Sequence, residues 1–410
     1  MLYRISVLAA QRYEIKFNLS IFVGSNKDYM DQINIYSGSE VISHIYVGNS
    51  IDGLQSCLEP YHNVFVVMDS DVAMLCPAAY QVSQMLNKRG VPGMLVETSE
   101  EAKSIETVLE ICSWLLENGA NRDALVLAIG GGVVSDIVGF AASIYKRGVR
   151  FAYVPTTLLS QVDAAIGGKT GVNYNGYKNV LGIIRQPQFT YICPQVLESL
   201  PQRDFLSGAA ELLKTFIIED GGYFSRAVEW LSGYARAESQ EAASEYLSAN
   251  VHGLVELIVA AARVKVGIVS KDQYERGGRR KLNLGHTFAH AIETLAKRKG
   301  NDITHGEAVS MGVLLAAELA DAYALEKGIS VLSAASDDFM NTLAGRLDAD
   351  FLACGLPIGC PFRVSSMLDI MRKDKKAYGD KVRFVLPFAV GDVRVVELSV
   401  EEVGRLLAGK

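Results

Sequence analysis

The sequence predicts two folded parts, an α/β domain on a mostly parallel sheet over 1–198 followed by a mostly helical domain over 199–410. Three observations predict this. Short β-branched runs alternate with helical patterns up to about residue 194. Beyond about residue 197 the apolar residues recur three and four apart. A chain of 410 residues is also about twice an ordinary domain, which calls for two cores.

The strand-like runs are VFVVMD at 64–69, GMLVET at 93–98, LVLAIGGG at 125–132, RFAYVPTT at 150–157 and TYIC at 190–193. Apolar runs of this length, ending in Gly, Asp or Thr and separated by helices, describe strands buried on both faces. Residues 1–32 carry a weak strand signal and no motif, and are read as an N-terminal extension. In the second part, AAELLKTFIIE, LVELIVAAARVKVGIV and EAVSMGVLLAAELADAYALEKG have helical spacing. VRFVLPFAVGDVRVVEL then reads as a hairpin turning at Gly391-Asp392, and the charged stretch between Glu293 and His305 as a surface loop.

Composition excludes several classes. A formal charge of -6 gives no overall attraction for nucleic acid or an anionic membrane. No stretch is expected to reach the ~20 apolar residues of a bilayer span. The start, MLYRISVLAAQRYEIKF, lacks the apolar core of a signal peptide. Six cysteines without CxxC spacing read as reduced thiols of a cytoplasmic protein.

Four groups of residues carry chemistry. Gly130-Gly131-Gly132 follows a strand and opens a helical pattern, which suits a phosphate against backbone N–H groups and equally suits a tight turn. Asp69 ends an earlier strand, where a carboxylate holds a ribose hydroxyl or caps the next helix. The stretch 154–179 is too polar for a core and reads as a functional loop offering Lys169 and Lys178 to anions. His286 and His290 stand four apart on one helix face, and His305 opens the next helix.

Thr287 breaks the HExxH pattern, which argues against a zinc protease. A metal site needs a third ligand, and Glu211 in GAAELLKTF is the candidate, with Lys214 one turn on. The alternative is a solvated helical pair. Basic clusters at 271–281 and 372–381 count only if an anion binds between the two parts.

Taken in order, GGGVVSD, YKRG, VPTTLLSQVDAAIGGKTGVN, KN, GAAELLK, ERGGR, LNLGHTFAHAIE, HGEAVSMG and DKK resemble the 3-dehydroquinate synthase family, from about Asp69 to Lys376. The resemblance implies a Rossmann-like NAD-binding α/β domain, a helical domain holding zinc or cobalt, and an active site between them. It places the metal on Glu211, His286 and His305, and moves His290 to substrate contact or proton transfer. NAD contacts fall on Asp69, Glu100, Lys103, Gly131, Gly132, Asp136, Thr156, Thr157 and Lys178. Catalytic roles fall on Lys169, Lys214, Lys265, Glu275, Arg279, Asn283 and His290, and further substrate contacts on Arg147, Asp163, Asn179, Lys375 and Lys376.

The implied reaction converts 3-deoxy-D-arabino-heptulosonate 7-phosphate to 3-dehydroquinate and phosphate. Its steps are transient oxidation by NAD, β-elimination of phosphate, return of the hydride and an intramolecular aldol closure. The implied assembly is a homodimer, with a sugar phosphate as the only partner and no nucleic acid or membrane. Ser135, Tyr177 and Ala289 replace glycines usual in the family. Alternatives are another sugar phosphate cyclase, either an amino-dehydroquinate synthase or a C7-cyclitol synthase, and a metal-dependent NAD alcohol dehydrogenase. Asn283 and His290 speak against the C7-cyclitol enzymes, and the basic residues against the dehydrogenase.

Overall fold

The computed structural model describes residues 30–408, apart from 49, 220–221, 330–341 and 376–380, and gives only the backbone of 373–375. Its strands are β1 (Met30–Ser37), β2 (Glu40–Gly48), β3 (Val64–Asp69), β4 (Gly93–Val96), β5 (Leu125–Gly130), β6 (Arg150–Pro155), β7 (Lys169–Tyr174), β8 (Tyr177–Ile184), β9 (Phe189–Ile192), β10 (Lys381–Ala389) and β11 (Asp392–Ser399). Seven form one sheet in the order β1-β2-β9-β6-β5-β3-β4, parallel except for the β1/β2 pair. The chain leaves β3 toward β4 and then crosses to β5 on the other side, so the crevice between the ends of β3 and β5 is a topological switch point. Asp69 and Gly130 end those two strands.

Strand alternation sets the layers. Val64, Val66 and Met68 face one side of the sheet with Leu125, Leu127, Ile129, Ala152 and Val154, while Phe65, Val67, Val126, Ala128, Phe151 and Tyr153 face the other. The second face packs on the helices Ile105–Glu117 and Gly132–Ile144. The first face is continuous with the interior of the helical part, through Phe205, Leu212, Val266, Phe288 and Val309. Two cores therefore exist, but the sheet divides them. The first face is also covered by the helix Pro77–Lys88, through Ala78, Ala79, Val82 and Leu86, so one core runs from the α/β part into the helical part.

Three further differences from the sequence reading have local causes. The stretch taken as a long loop contains the β7/β8 hairpin, whose turn is Asn175-Gly176 with φ of 49° and 81°. Such a pair of left-handed residues is the usual two-residue hairpin turn. The stretch after Glu293 stays helical to Lys299, and the β10/β11 turn is Val390-Gly391, one residue early. The His305–Lys327 helix is long and apolar enough to cross a bilayer, with mean hydropathy 1.5, but 72% of that window is buried within the protein. Its apolarity is that of a core helix.

Candidate active site

Three helices bring the proposed metal ligands together. Glu211 lies within Gln202–Ile218, His286 begins His286–Lys299, and His305 begins His305–Lys327. Their approach depends on missing side chains. A Cβ on Gly306 would lie 2.0 Å from the Ser207 carbonyl oxygen, and one on Gly312 would lie 2.3 Å from that of Gly285. Thr304 and Glu307 form a capping box that fixes the start of the His305 helix.

One donor atom from each of Glu211, His286 and His305 lies within 4.8 Å of the other two. Glu211 Oε1 is 3.6 Å from His286 Nε2 and 3.3 Å from His305 Nε2. His286 Nδ1 faces the Leu284 carbonyl at 3.1 Å and therefore carries the proton, which aims a bare Nε2 lone pair at a carboxylate. Burial, together with the Lys214 charge, pushes His286 down to about 3, so the ring is neutral. His305 has carboxylate oxygens at both nitrogens, Glu211 at 3.3 Å and Glu293 at 3.2 Å. Although burial opposes it, those two carboxylates lift His305 to about 10. Lone pairs aimed at a buried carboxylate, and a ring that must otherwise hold two protons, are what a divalent cation would resolve, so the donor set fits a metal.

Glu211 and Lys214 are not a solvated pair. Both are buried and ion-paired, and despite burial the ammonium and the imidazoles hold Glu211 well below the usual carboxylate range. Beside them Lys265 pairs with Asp163, which sits in a π-helical turn, Ser160–Ala164. Burial would raise the Asp163 carboxyl, but Lys265 and Lys214 outweigh it and keep the group ionised. Arg279 is buried too, donating to the carbonyls of Gln273 and Gly167, while its Nε has no partner among the described residues. Gly167 is required there, since a Cβ would lie 2.8 Å from the guanidinium at a φ of +104°. Lys169 pairs with Glu275, which also accepts from Asn283 Nδ2.

The cofactor-side residues form a second, connected group. Gly131 caps the Gly132–Ile144 helix without a side-chain bond, leaving its first N–H groups to a ligand. A Cβ on Gly131 would meet Thr157 at 3.2 Å, and one on Gly132 would meet Ala164 at 3.1 Å, next to Asp163. Thr156 Oγ1 is buried with no partner among the described residues. This cradle at the switch point fits a dinucleotide. Lys103 pairs with Asp136 at 2.6 Å, and Lys178 lies 3.9 Å from Glu100 and 3.2 Å from Glu293. Asp69, expected on the cofactor side, caps the following helix: Oδ1 accepts from the Asp71 and Val72 N–H groups and Oδ2 from Thr98.

Not every expected residue joins. Arg147 is exposed at the far end of the Gly132–Ile144 helix, about 20 Å along its axis from the glycine turn, in a cleft with Asn121, Arg122 and Lys146. His290 stands beside the metal ligands, its ring 5.6 Å from that of His286. Asn179 donates its backbone N–H to Asn173, which also bonds Glu100. Lys375 ends a helix, Val364–Lys375, but its side chain, and all of Lys376, lie outside the described residues. Two residues were missed, Asn173 and Glu293. The signal for Glu293 was its place seven residues after His286, on the same helix face.

Among known families, a model described as 3-dehydroquinate synthase N-terminal matches residues 93–207, and one described as 3-dehydroquinate synthase C-terminal matches 208–377. A 3-dehydroquinate synthase of Acidithiobacillus ferrooxidans is 39% identical over 328 residues, covering 80% of this chain and 83% of that one. The chain belongs to the 3-dehydroquinate synthase family. A second relative of that name, from Shewanella sp. strain MR-4, is 36% identical over 368 residues, covering 88% and 95%. Among solved structures, a 2-epi-5-epi-valiolone synthase from Streptomyces hygroscopicus with NAD+ and Zn2+ bound matches with a TM-score of 0.74. It is 27% identical, and the match covers 92% of this chain and 98% of that one. Membership in the 3-dehydroquinate synthase family makes this chain an enzyme, a lyase.

Ser135 and Ala289, where the family usually has glycine, sit without strain. Ser135 Oγ donates to the Gly131 carbonyl, and Ala289 is fully buried against Gly312. Tyr177 projects from the exposed start of β8.

Proposed function

We propose that this chain converts 3-deoxy-D-arabino-heptulosonate 7-phosphate to 3-dehydroquinate and phosphate, with NAD and zinc or cobalt held at the residues described above. One observation carries the reading. A three-donor metal set lies beside three buried cations, Lys214, Lys265 and Arg279, of which Lys214 and Lys265 are ion-paired, with Glu211 and Asp163, and Arg279 makes no carboxylate ion pair among the described residues. A cationic excess out of water is costly unless an anion neutralises it, and a substrate with carboxylate and phosphate does so.

The division of labour follows from placement. An NAD-binding α/β domain over 1–198 and a metal- and substrate-binding domain over 199–410 close on one cleft. When bound, NAD supplies a hydride acceptor and donor, and the metal supplies Lewis acidity at a substrate hydroxyl. Gly131, Gly132, Thr156 and Thr157 hold the dinucleotide phosphates, and Asp69 a ribose. Glu100, Lys103, Asp136 and Lys178 fix the hairpin side of the cofactor site. Arg279, Lys214 and Lys265 bind the anionic groups of the substrate, and their buried forks and partners orient it. Lys169, Glu275 and Asn283 form a hydrogen-bonded set that holds protons beside it, and His290 is an imidazole exposed to the cleft. Asp163 keeps Lys265 charged. Asn179, Lys375 and Lys376 complete the substrate contacts. The protein acts in the cytoplasm as a homodimer, for which its six unpaired cysteines suit a reducing compartment.

The test is a substrate panel with purified protein, catalytic NAD and zinc. Phosphate release from the heptulosonate phosphate, with 3-dehydroquinate identified by mass spectrometry, is expected. Turnover of sedoheptulose 7-phosphate or glucose 6-phosphate instead would keep the fold and move the error to the pocket.

A further inference from the structure

We propose that Glu293 is a positioning residue of the metal centre and the joint that ties it to the β7/β8 hairpin. The inference rests on the metal reading above, and no part of that reading assigns Glu293 a role. One oxygen, Oε1, lies 3.2 Å from His305 Nδ1 and 3.2 Å from Lys178 Nζ. These partners come from different parts of the chain. Lys178 is on β8, 115 residues before Glu293, and His305 opens the next helix.

The chemistry of the contact fixes one tautomer. Glu293 is largely buried, its side chain 11% exposed, and its Oε1 lies between the Lys178 ammonium and the His305 ring. An ionised carboxylate only accepts, so His305 Nδ1 donates and Nε2 is the nitrogen turned toward Glu211 Oε1. Carboxylate–histidine–metal arrangements use this pattern, in which the outer carboxylate sets ring orientation and raises the basicity of the ligand. An ordinary surface ion pair would leave Glu293 in water and touch nothing that ligates.

The same oxygen continues a run of alternating charge, Glu100, Lys178, Glu293, His305, Glu211 and Lys214, each next to its neighbour. Glu100 in turn accepts from Asn173 on β7. The hairpin that carries Lys169 and Lys178 thus reaches the metal ligands through a single carboxylate. Two attachments on one oxygen mean that displacing either partner disturbs the other.

The experiment measures zinc affinity of the full chain by competition with a chelator, together with the visible absorption of the cobalt-loaded protein. Glu293→Ala is expected to weaken zinc binding about a hundredfold and Glu293→Gln about tenfold, because the amide oxygen still accepts from Nδ1. Both should shift the cobalt bands, which report ligand geometry. Their metal-free melting temperatures separate this from a packing role, which would lower melting and leave metal affinity unchanged. If Glu293→Ala does not fold, Glu293→Gln alone decides. Wild-type zinc affinity and an unaltered cobalt spectrum in the folded variants would overturn the positioning role while leaving the metal site standing. A wild-type chain that binds no zinc would overturn the metal reading itself, and this inference with it.

Discussion

The metal junction and the β7/β8 hairpin bear on the same cleft but are built in opposite ways. At the junction every proposed ligand stands on a helix, two of them at a helix start, and the helices touch backbone to backbone at Gly306 and Gly312. On the hairpin, Lys169, Lys178 and Asn179 are exposed and are placed by ion pairs and one side-chain acceptor. The difference teaches where precision and motion reside. Coordination needs donor atoms held by packing, whereas residues that follow a cofactor and substrate in and out are better held by contacts that exchange with water.

The largest break is removal of a ligand. His305→Ala should lose metal content and turnover to background in a metal assay, and keep NAD binding, because the glycine turn is untouched. Retained metal would refute the ligand set. Next, Asp163→Ala leaves Lys265 buried and unpaired, and denaturant unfolding should show a loss of about 3 kcal/mol or more. A loss within about 0.5 kcal/mol would mean that water enters the pair.

The sequence made much of the junction legible and little of the hairpin. His286, His290 and His305 were visible through spacing, Glu211 only as a candidate third ligand beside Lys214, and β3, β5 and β6 through unbroken β-branched runs. Family resemblance was needed to set His290 aside from the metal. Glu293 was legible only through its place seven residues after His286, since an acidic residue in a charged helix end looks solvated until a facing helix is placed over it. Nor was β7/β8, whose polar strands show no apolar alternation, although Asn175-Gly176 marked the turn. That one sheet face shares a buried cluster with the helical part is tertiary information.

The comparison also has a pH signature in the metal-free chain. His305 is raised from 6.5 to about 10, so its folded form binds a proton that the unfolded chain releases earlier. Its stabilisation is complete below about pH 6.5 and is lost as pH rises toward about 10. Melting temperature should fall over that window, and His305→Ala should flatten the fall. A profile identical in both would show that the ring carries no extra proton.

The finest comparison uses one methyl group in each region. Gly306→Ala drives a Cβ into the Ser207 carbonyl and should cost about 3 kcal/mol with loss of metal retention. Gly176→Ala meets open space at a φ of +81° and should cost about 1 kcal/mol, from backbone strain alone. Unfolding curves of the two variants check the pair, and equal costs would erase the contrast.

The central claim, that one cleft oxidises, eliminates and reduces again without releasing the hydride, is tested most directly by counting phosphate against NAD. With metal-loaded protein and far less NAD than heptulosonate phosphate, the account predicts many phosphates released per NAD and no accumulated NADH. One phosphate per NAD, with NADH accumulating to match, would contradict it.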